Sequence, residues 1–210
     1  MLLEKLRHPF LITLYYAFQK GLTWYLVLEL AQGGDLLHRI QNTKGFTEEE
    51  WKFYAAEIIC GIEFLHENKI IYRGLKPEDV LLARDGHIKL SDFGLSRSID
   101  EITSTFCGSP LYMAPEAIKG EEQTFAVDWW SLGVLMYEMI YGETPFNSET
   151  PKDVYRQILS HKISFSGSIS RSYLFIIFIG PELKDLITKL LNSKPKNRLG
   201  WNKDAIDIKE

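Results

Sequence analysis

The stretch that decides the fold covers residues 70–95 and reads IIYRGLKPEDVLLARDGHIKLSDFGL. Two short apolar runs, Val80–Leu82 and Ile88–Leu90, flank the turn-forming residues 84–87, Arg-Asp-Gly-His. This pattern predicts two short strands joined by a tight turn. Because a polar loop precedes the first strand and another follows the second, we expect a hairpin that presents polar side chains at both ends.

The two loops carry the charged side chains of a candidate phosphate and metal site. The first loop holds Arg73, Lys76 and Asp79, and the second holds Asp92. Hard divalent cations such as Mg²⁺ prefer carboxylate oxygens and often share their coordination with substrate phosphates. Two carboxylates and a lysine that converge on one cleft therefore suit a magnesium-bound polyphosphate.

The composition excludes several classes of function. The chain is 45% hydrophobic and 25% charged, which is typical of one globular domain or the greater part of a larger one. A net charge of -4 gives no reason to expect nucleic acid or a membrane surface as a partner. Cys60 and Cys107 have neither disulfide-framework nor zinc spacing. We therefore predict an intracellular protein, cytoplasmic or nuclear, with reduced thiols and no membrane span.

The amino-terminal residues predict a small β-ribbon. Residues 1–7 have the pattern of the end of an amphipathic helix, which a His-Pro pair then breaks. Residues 10–19 and 22–30 are rich in aromatic and aliphatic side chains and are separated by a Lys-Gly turn. Since a hairpin alone is marginally stable, we expect this piece to need neighbours.

Helical patterns dominate the rest of the chain. Thr47 and Glu50 form a capping-box signature, after which apolar residues recur at helical spacing as far as His66. Residues 127–141 are apolar nearly all round, which predicts a helix buried on most sides and closed by Gly142.

Shorter helices are predicted at residues 36–41 and at 151–159, and another begins at Pro181. Residues 164–180 lie between the last two of these helices. They begin with polar residues and continue as an uncharged, β-prone apolar run. Such a run is an aggregation hazard where it is exposed, and we predict an atypical insertion there.

The order of these motifs resembles that of protein kinases. Residues 70–95 resemble the catalytic loop, [HY]-R-D-x-K-P-x-N, and the D-F-G motif of that family. Further kinase-like segments are YLVLELAQGGDL (25–36), TFCGSPLYMAPE (105–116), AVDWWSLG (126–133), TPF (144–146) and NRLG (197–200). Thr-Phe-Cys-Gly and Asp-Trp-Trp-Ser-Leu-Gly look like the AGC group of serine/threonine kinases. The ribosomal-protein and cyclic-nucleotide-dependent kinase branches resemble the chain most.

The resemblance implies an α+β, protein-kinase-like fold with a mainly helical large lobe and a remnant, two-stranded part of the β small lobe. Residues 1–30 would be that remnant. Residues 31–210 would be the hinge and the large lobe, with the atypical insertion at 164–180.

The resemblance also implies roles for individual residues around ATP and Mg²⁺. Leu28 would be the gatekeeper, Leu81 would floor the adenine pocket, and Asp35 would lie near the ribose. The backbones of Glu29 and Ala31 would bind adenine.

The same resemblance assigns the catalytic positions. Asp92 and Asp79 would bind magnesium, and Lys76 would neutralise the transferring phosphoryl group. Gly74 stands where the family has its catalytic Asp, and Asp79 stands where it has Asn. Without a carboxylate at position 74, a contribution of roughly 10²–10⁴ to the rate is lost.

Regulatory and structural positions follow in the same way. Arg73 would pair with a phosphate on Thr105, which an upstream activating kinase would add. Glu116 and Arg198 would form a buried ion pair. A protein Ser or Thr would be the substrate, and a protein would be the partner.

Three parts of a kinase small lobe would lie before Met1: the glycine-rich loop, the lysine of the third strand and the glutamate of helix C. Neither G-x-G-x-x-G nor V-A-I-K occurs in the 210 residues. We therefore expect weak ATP binding and absent or severely impaired phosphoryl transfer. The alternatives are a pseudokinase that acts as a binding or scaffold module, an incomplete copy of an active AGC kinase, and a decayed gene.

Overall fold

The computed structural model describes residue 4 and residues 6–43, 45–101, 106–165 and 180–210. Most of the helix predicted at residues 1–7, Thr105, and nearly all of the predicted insertion at 164–180 lie outside the described residues. Leu6 and Arg7, which are described, are not helical.

Within the described residues, all strands lie in the first hundred residues, and five of the seven α-helices follow them. The strands are β1 (Leu14–Lys20), β2 (Thr23–Leu28), β3 (Ile70–Ile71), β4 (Val80–Leu82), β5 (Ile88–Leu90) and β6 (Arg97–Ser98). The helices are α1 (Leu36–Thr43), α2 (Glu48–Glu67), α3 (Pro115–Lys119), α4 (Ala126–Tyr141), α5 (Pro151–Ser160), α6 (Pro181–Leu190) and α7 (Ala205–Lys209). This mainly helical α+β architecture agrees with the fold class predicted from the sequence.

Strands β1 and β2 form an antiparallel two-stranded ribbon. The sequence predicts strands over 10–19 and 22–30, but residues 10–12 belong to the body of the protein instead. Ile12 N donates to Leu90 O (2.9 Å), and Leu90 N donates to Phe10 O (2.8 Å), so this segment pairs with β5. The ribbon itself is exposed along both strands apart from Leu14 at its base.

The helical body is organised around α4, whose residues are buried from Ala126 to Ile140. Gly142 ends this helix in the left-handed conformation, with φ 74°, as the sequence predicts. The capping box of α2 also forms: Thr47 Oγ1 accepts from Glu50 N, and Glu50 Oε2 accepts from Thr47 N. No helix of the described residues combines the length and the apolar character needed to cross a membrane.

Candidate functional site

The β4–β5 hairpin brings the two charged loops together. The two strands joined by a tight turn are present as the sequence predicts, and Val80 pairs with Leu90 and Leu82 with Ile88. Ser91 then closes the open end, because its backbone N–H donates to the carbonyl oxygen of Asp79 (2.9 Å) and its hydroxyl donates to the same oxygen (3.0 Å). The loop before β4 and the loop after β5 are therefore joined at Asp79 and Ser91.

Lys76 and Asp79 lie side by side on the first loop, with 3.5 Å between Lys76 Nζ and Asp79 Oδ2. Asp79 is buried. Burial is the main cause that raises the pKa of Asp79 to about 6; Lys76 opposes this shift, and the nearby Asp92 adds to it. The charge of Asp92 therefore acts on Asp79 across the hairpin end.

Asp92 occupies a left-handed backbone conformation, with φ 49°. Its Oδ1 accepts a hydrogen bond from Gly94 N (3.1 Å), and the residue as a whole is exposed. No group of three His, Cys, Asp or Glu side chains in the described ranges could hold a metal by itself. Two carboxylates still fit Mg²⁺, which usually takes one or two protein carboxylates and completes its shell with phosphates and waters.

Gly74 lies on the first loop, close to the backbone of Asp92 on the second, with room for a Cβ. A Cβ built on Gly74 would lie 3.5 Å from Asp92 O and 3.8 Å from both the ring and the carbonyl oxygen of Tyr72, which are ordinary van der Waals contacts. Its φ is outside the left-handed region. Gly74 also lines a narrow cleft shared with residues 107–109 and 112–114. Neither packing nor backbone geometry requires a glycine at this position.

A glycine pair places the segment after β2 against β4. Gly33 N donates to Leu82 O (2.8 Å), and Leu82 N donates to Gly34 O (2.9 Å). A Cβ on Gly33 would approach Leu82 Cβ to 2.8 Å, so this close backbone approach requires glycine. The pairing continues as a bridge between Asp35 and Leu81.

The residues predicted to bind the nucleotide therefore lie on two neighbouring segments. Asp35 lies beside Leu81, but Asp35 Oδ1 accepts from His38 N (2.8 Å) at the start of α1. Glu29 and Ala31 are half-buried, and Leu28 is 39% exposed at the end of β2. The roles of these residues toward a nucleotide stay predictions.

A buried network that sequence reasoning missed holds the loop before Gly74. Asp128, in the first turn of α4, accepts from Tyr72 N and Arg73 N, each at 2.8 Å. His66 Nε2 lies 2.8 Å from Asp128 Oδ2, and His66 Nδ1 lies 2.8 Å from Asp204 Oδ1. The signal in the sequence was only the motif AVDWWSLG, which does not reveal the partners of its aspartate.

His66 bridges these two carboxylates with its two ring nitrogens, an arrangement that favours the protonated imidazolium. Burial alone would lower its pKa and is the largest single influence, but the hydrogen bonds and charges of Asp128 and Asp204 together raise the pKa of His66 above its usual value. Arg73 keeps φ 58°, a conformation that is held by the Asp128 bond to its N–H.

The predicted ion pair of Glu116 and Arg198 is present. Arg198 Nη1 and Nη2 donate to the two Glu116 oxygens at 2.6 and 2.9 Å, and both side chains are almost fully buried. Arg73 Nε donates to Leu95 O (2.8 Å), whereas its predicted phosphate partner on Thr105 lies outside the described residues.

Comparisons with known proteins agree with this arrangement. The family model of the protein kinase domain matches residues 1–206. The serine/threonine protein kinase ypkA of Aspergillus fumigatus is 43% identical over 210 residues, covering 99% of this chain and 32% of that protein.

Two animal relatives are equally similar. The human cAMP-dependent protein kinase catalytic subunit PRKX is 42% identical, over 99% of this chain and 55% of that protein. The rat RAC-beta serine/threonine-protein kinase is 42% identical, over 99% of this chain and 42% of that protein. The chain thus spans about a third to about half of the length of these relatives. With a kinase family model that covers nearly its whole length, the chain belongs to the protein kinase family, among the AGC-type serine/threonine kinases.

Proposed function

We propose that this chain binds a magnesium-bound adenine nucleotide weakly and transfers its γ-phosphoryl group to a protein Ser or Thr poorly or not at all. The observation that carries the proposal is Gly74, a residue without a carboxylate at the position that faces Asp92. Two of the relatives named above carry the name serine/threonine protein kinase, and the substrate class is taken from them.

The nucleotide-binding half of the proposal depends on Lys76, Asp79 and Asp92. The two carboxylates would hold Mg²⁺, and the Lys76 ammonium would lie against the phosphates as a point charge. When bound, the ion would offset the negative charge of the phosphates. Binding is expected to be weak because the 210 residues contain no G-x-G-x-x-G segment to cover them.

The expectation of impaired phosphoryl transfer depends on the missing carboxylate at Gly74. A kinase catalytic Asp accepts the proton of the substrate hydroxyl, and glycine has no group for this task. Asp79 is not expected to substitute for it, because in this proposal its carboxylate points to Mg²⁺ beside Lys76, 3.5 Å from Lys76 Nζ, and not to the substrate hydroxyl. Orientation of the hydroxyl and removal of its proton are both lost.

A thermal-shift titration with ATP tests the binding half. We expect the melting temperature to rise with ATP and Mg²⁺ and to rise less with ATP alone, since a ligand stabilises the state that it binds. Asp92→Asn should remove most of the magnesium dependence. A cooperative melt that ignores the nucleotide would contradict this half and favour a protein-binding module.

Phosphotransfer to serine and threonine peptides, measured with labelled ATP, tests the other half. We expect no transfer by the chain. Gly74→Asp should fold normally, because a Cβ at this position makes only ordinary van der Waals contacts, and should keep the same thermal shift. Alone it should not restore transfer, since the sequence also has no V-A-I-K lysine. Robust transfer by the unaltered chain would contradict the proposal. The proposed function also includes phosphorylation of Thr105 by an upstream kinase.

A further inference from the structure

The β1–β2 ribbon meets the described body of the protein only at its base. Both strands are exposed beyond Leu14, and even its large apolar residues are largely open to solvent: Tyr16 is 70% exposed, Trp24 67% and Leu26 48%. Packing along the faces of the ribbon therefore contributes little to its orientation. The contacts at its base determine that orientation: those of residues 13 and 29, where the two strands leave the body, and the hydrogen bond from Arg7 Nη2 to Leu14 O (3.2 Å).

Glu29 joins the two sides of this base. Its backbone N–H donates to Thr13 O (2.8 Å), and its side-chain Oε2 accepts from Thr13 N (3.3 Å). The other carboxylate oxygen, Oε1, lies 2.9 Å from Lys89 Nζ, and the two side chains are only 26% and 15% exposed. Although burial is the largest influence and raises it, the pKa of Glu29 is lowered overall by the bonds and charges of Lys89 and Thr13.

Lys89 belongs to the strand that leads to the candidate metal ligand. It is the central residue of β5, and its neighbour Leu90 pairs with residues 10–12 on the body side of the ribbon's base. Asp92 follows three residues after Lys89. The Glu29–Lys89 ion pair thus reaches across the entering segment and ties the segment after β2 to the strand that carries Asp92.

We propose that Glu29 and Lys89 form a clamp that sets the position of the ribbon and of residues 28–31 relative to β5, and that this clamp positions a nucleotide between residues 28–31 and Asp92. Both are positioning residues, and they act through side chains that need not touch the nucleotide. The nucleotide part of this inference rests on the proposed function, whereas the clamp itself does not.

Hydrogen exchange of the ribbon tests the clamp directly. Glu29→Gln keeps an acceptor for Thr13 N but removes the charge, and Lys89→Met keeps much of the side-chain bulk. We expect the amides of Thr13, Glu29 and residues 14–28 to exchange about threefold to tenfold faster in either variant, since local opening follows the loss of such contacts.

Asp185→Asn is the matched control. It removes a carboxylate from an ion pair with Lys189 on α6 (2.6 Å), where both side chains are more than half exposed. Such exposed pairs contribute little, so ribbon exchange should not change. The double charge reversal Glu29→Lys with Lys89→Glu should return exchange toward that of the unaltered chain, which a general packing defect would not do.

Titration with ATP and Mg²⁺ on the same variants tests the positioning role. We expect affinity to fall about threefold to tenfold in each single variant and to recover in the double reversal, as double-mutant cycles show for coupled pairs. Unchanged ribbon exchange in both single variants would overturn the clamp. Faster exchange with unchanged affinity would overturn its role in nucleotide positioning. No binding by the unaltered chain would instead overturn the proposed function and leave the clamp to be judged by exchange alone.

Discussion

The β1–β2 ribbon and helix α4 are both strongly apolar, yet they have opposite environments. Helix α4 is buried from Ala126 to Ile140, whereas the ribbon exposes aromatic and aliphatic side chains along both strands. The difference lies in their neighbours: α4 packs against α2 and α6, and among the described residues β1 and β2 contact mainly each other. Apolar composition therefore predicts a need for burial, but the surrounding elements decide whether that need is met.

This contrast predicts that the free energy of unfolding depends on contacts around α4. Arg198 is the sharpest case, because its Nη1 donates to Ala126 O (2.7 Å) as well as to Glu116. Arg198→Ala would leave the buried Glu116 carboxylate without its partner, and we expect a loss of about 3–5 kcal/mol in urea unfolding.

Arg156→Ala is the control for that experiment. Its ion pair with Asp153 lies on α5, with side chains 70% and 42% exposed, and should contribute at most about 1 kcal/mol. Equal losses in the two variants would contradict the idea that stability is concentrated around α4.

His66 should give a smaller effect that depends on pH. In the folded chain its pKa is raised above 6.5, so its contribution is fully present below about pH 6.5 and is lost as the pH rises through the raised folded-state value. We expect His66→Gln to cost about 2 kcal/mol at pH 6, because Asp128 and Asp204 lose a charged donor.

The measurement is unfolding of both proteins by urea between pH 6 and pH 9. The difference in stability should shrink toward the alkaline end, where the unaltered His66 also loses its proton. A difference that stays constant, or that grows with pH, would show that the pKa of His66 is not raised in the folded chain.

The ribbon should give the smallest effect. Leu26 is 48% exposed on β2, and Leu26→Thr keeps a residue that favours strands. We expect a change in the free energy of unfolding within about 0.5 kcal/mol. A loss above about 2 kcal/mol would mean that the ribbon is covered in solution, for example by a second copy, which sedimentation would detect.

Local patterns were enough to predict much of the fold. The β4–β5 hairpin follows from two apolar triplets around an Asp-Gly turn, and the capping box of α2 follows from Thr47 and Glu50. Both are short-range features in which the residues that interact are close in the chain. The limits of the ribbon could not be predicted, because residues 10–12 pair with Leu90 of β5, almost 80 residues away, rather than with the segment after β2.

The candidate site likewise has a part that the sequence predicts and a part that it does not. The motif around Lys76, Asp79 and Asp92 is visible in the sequence because its members share one hairpin. The partners that hold them are not visible: His66, Asp128 and Asp204 come from three distant segments, and Glu29 meets Lys89 only after folding. No spacing rule connects such residues, so the sequence shows which groups are available but not which groups support them.

Asp128 uses its carboxylate on the backbone of residues 72 and 73 and therefore shapes the loop without any help from position 74. The backbone conformation of this loop thus does not depend on the residue at position 74, which would perform the chemistry. A lineage of such proteins can therefore lose or regain a side chain at position 74 without a change in folding on which selection could act. Similarity of shape to an active kinase is, for this reason, a record of ancestry rather than a measure of turnover.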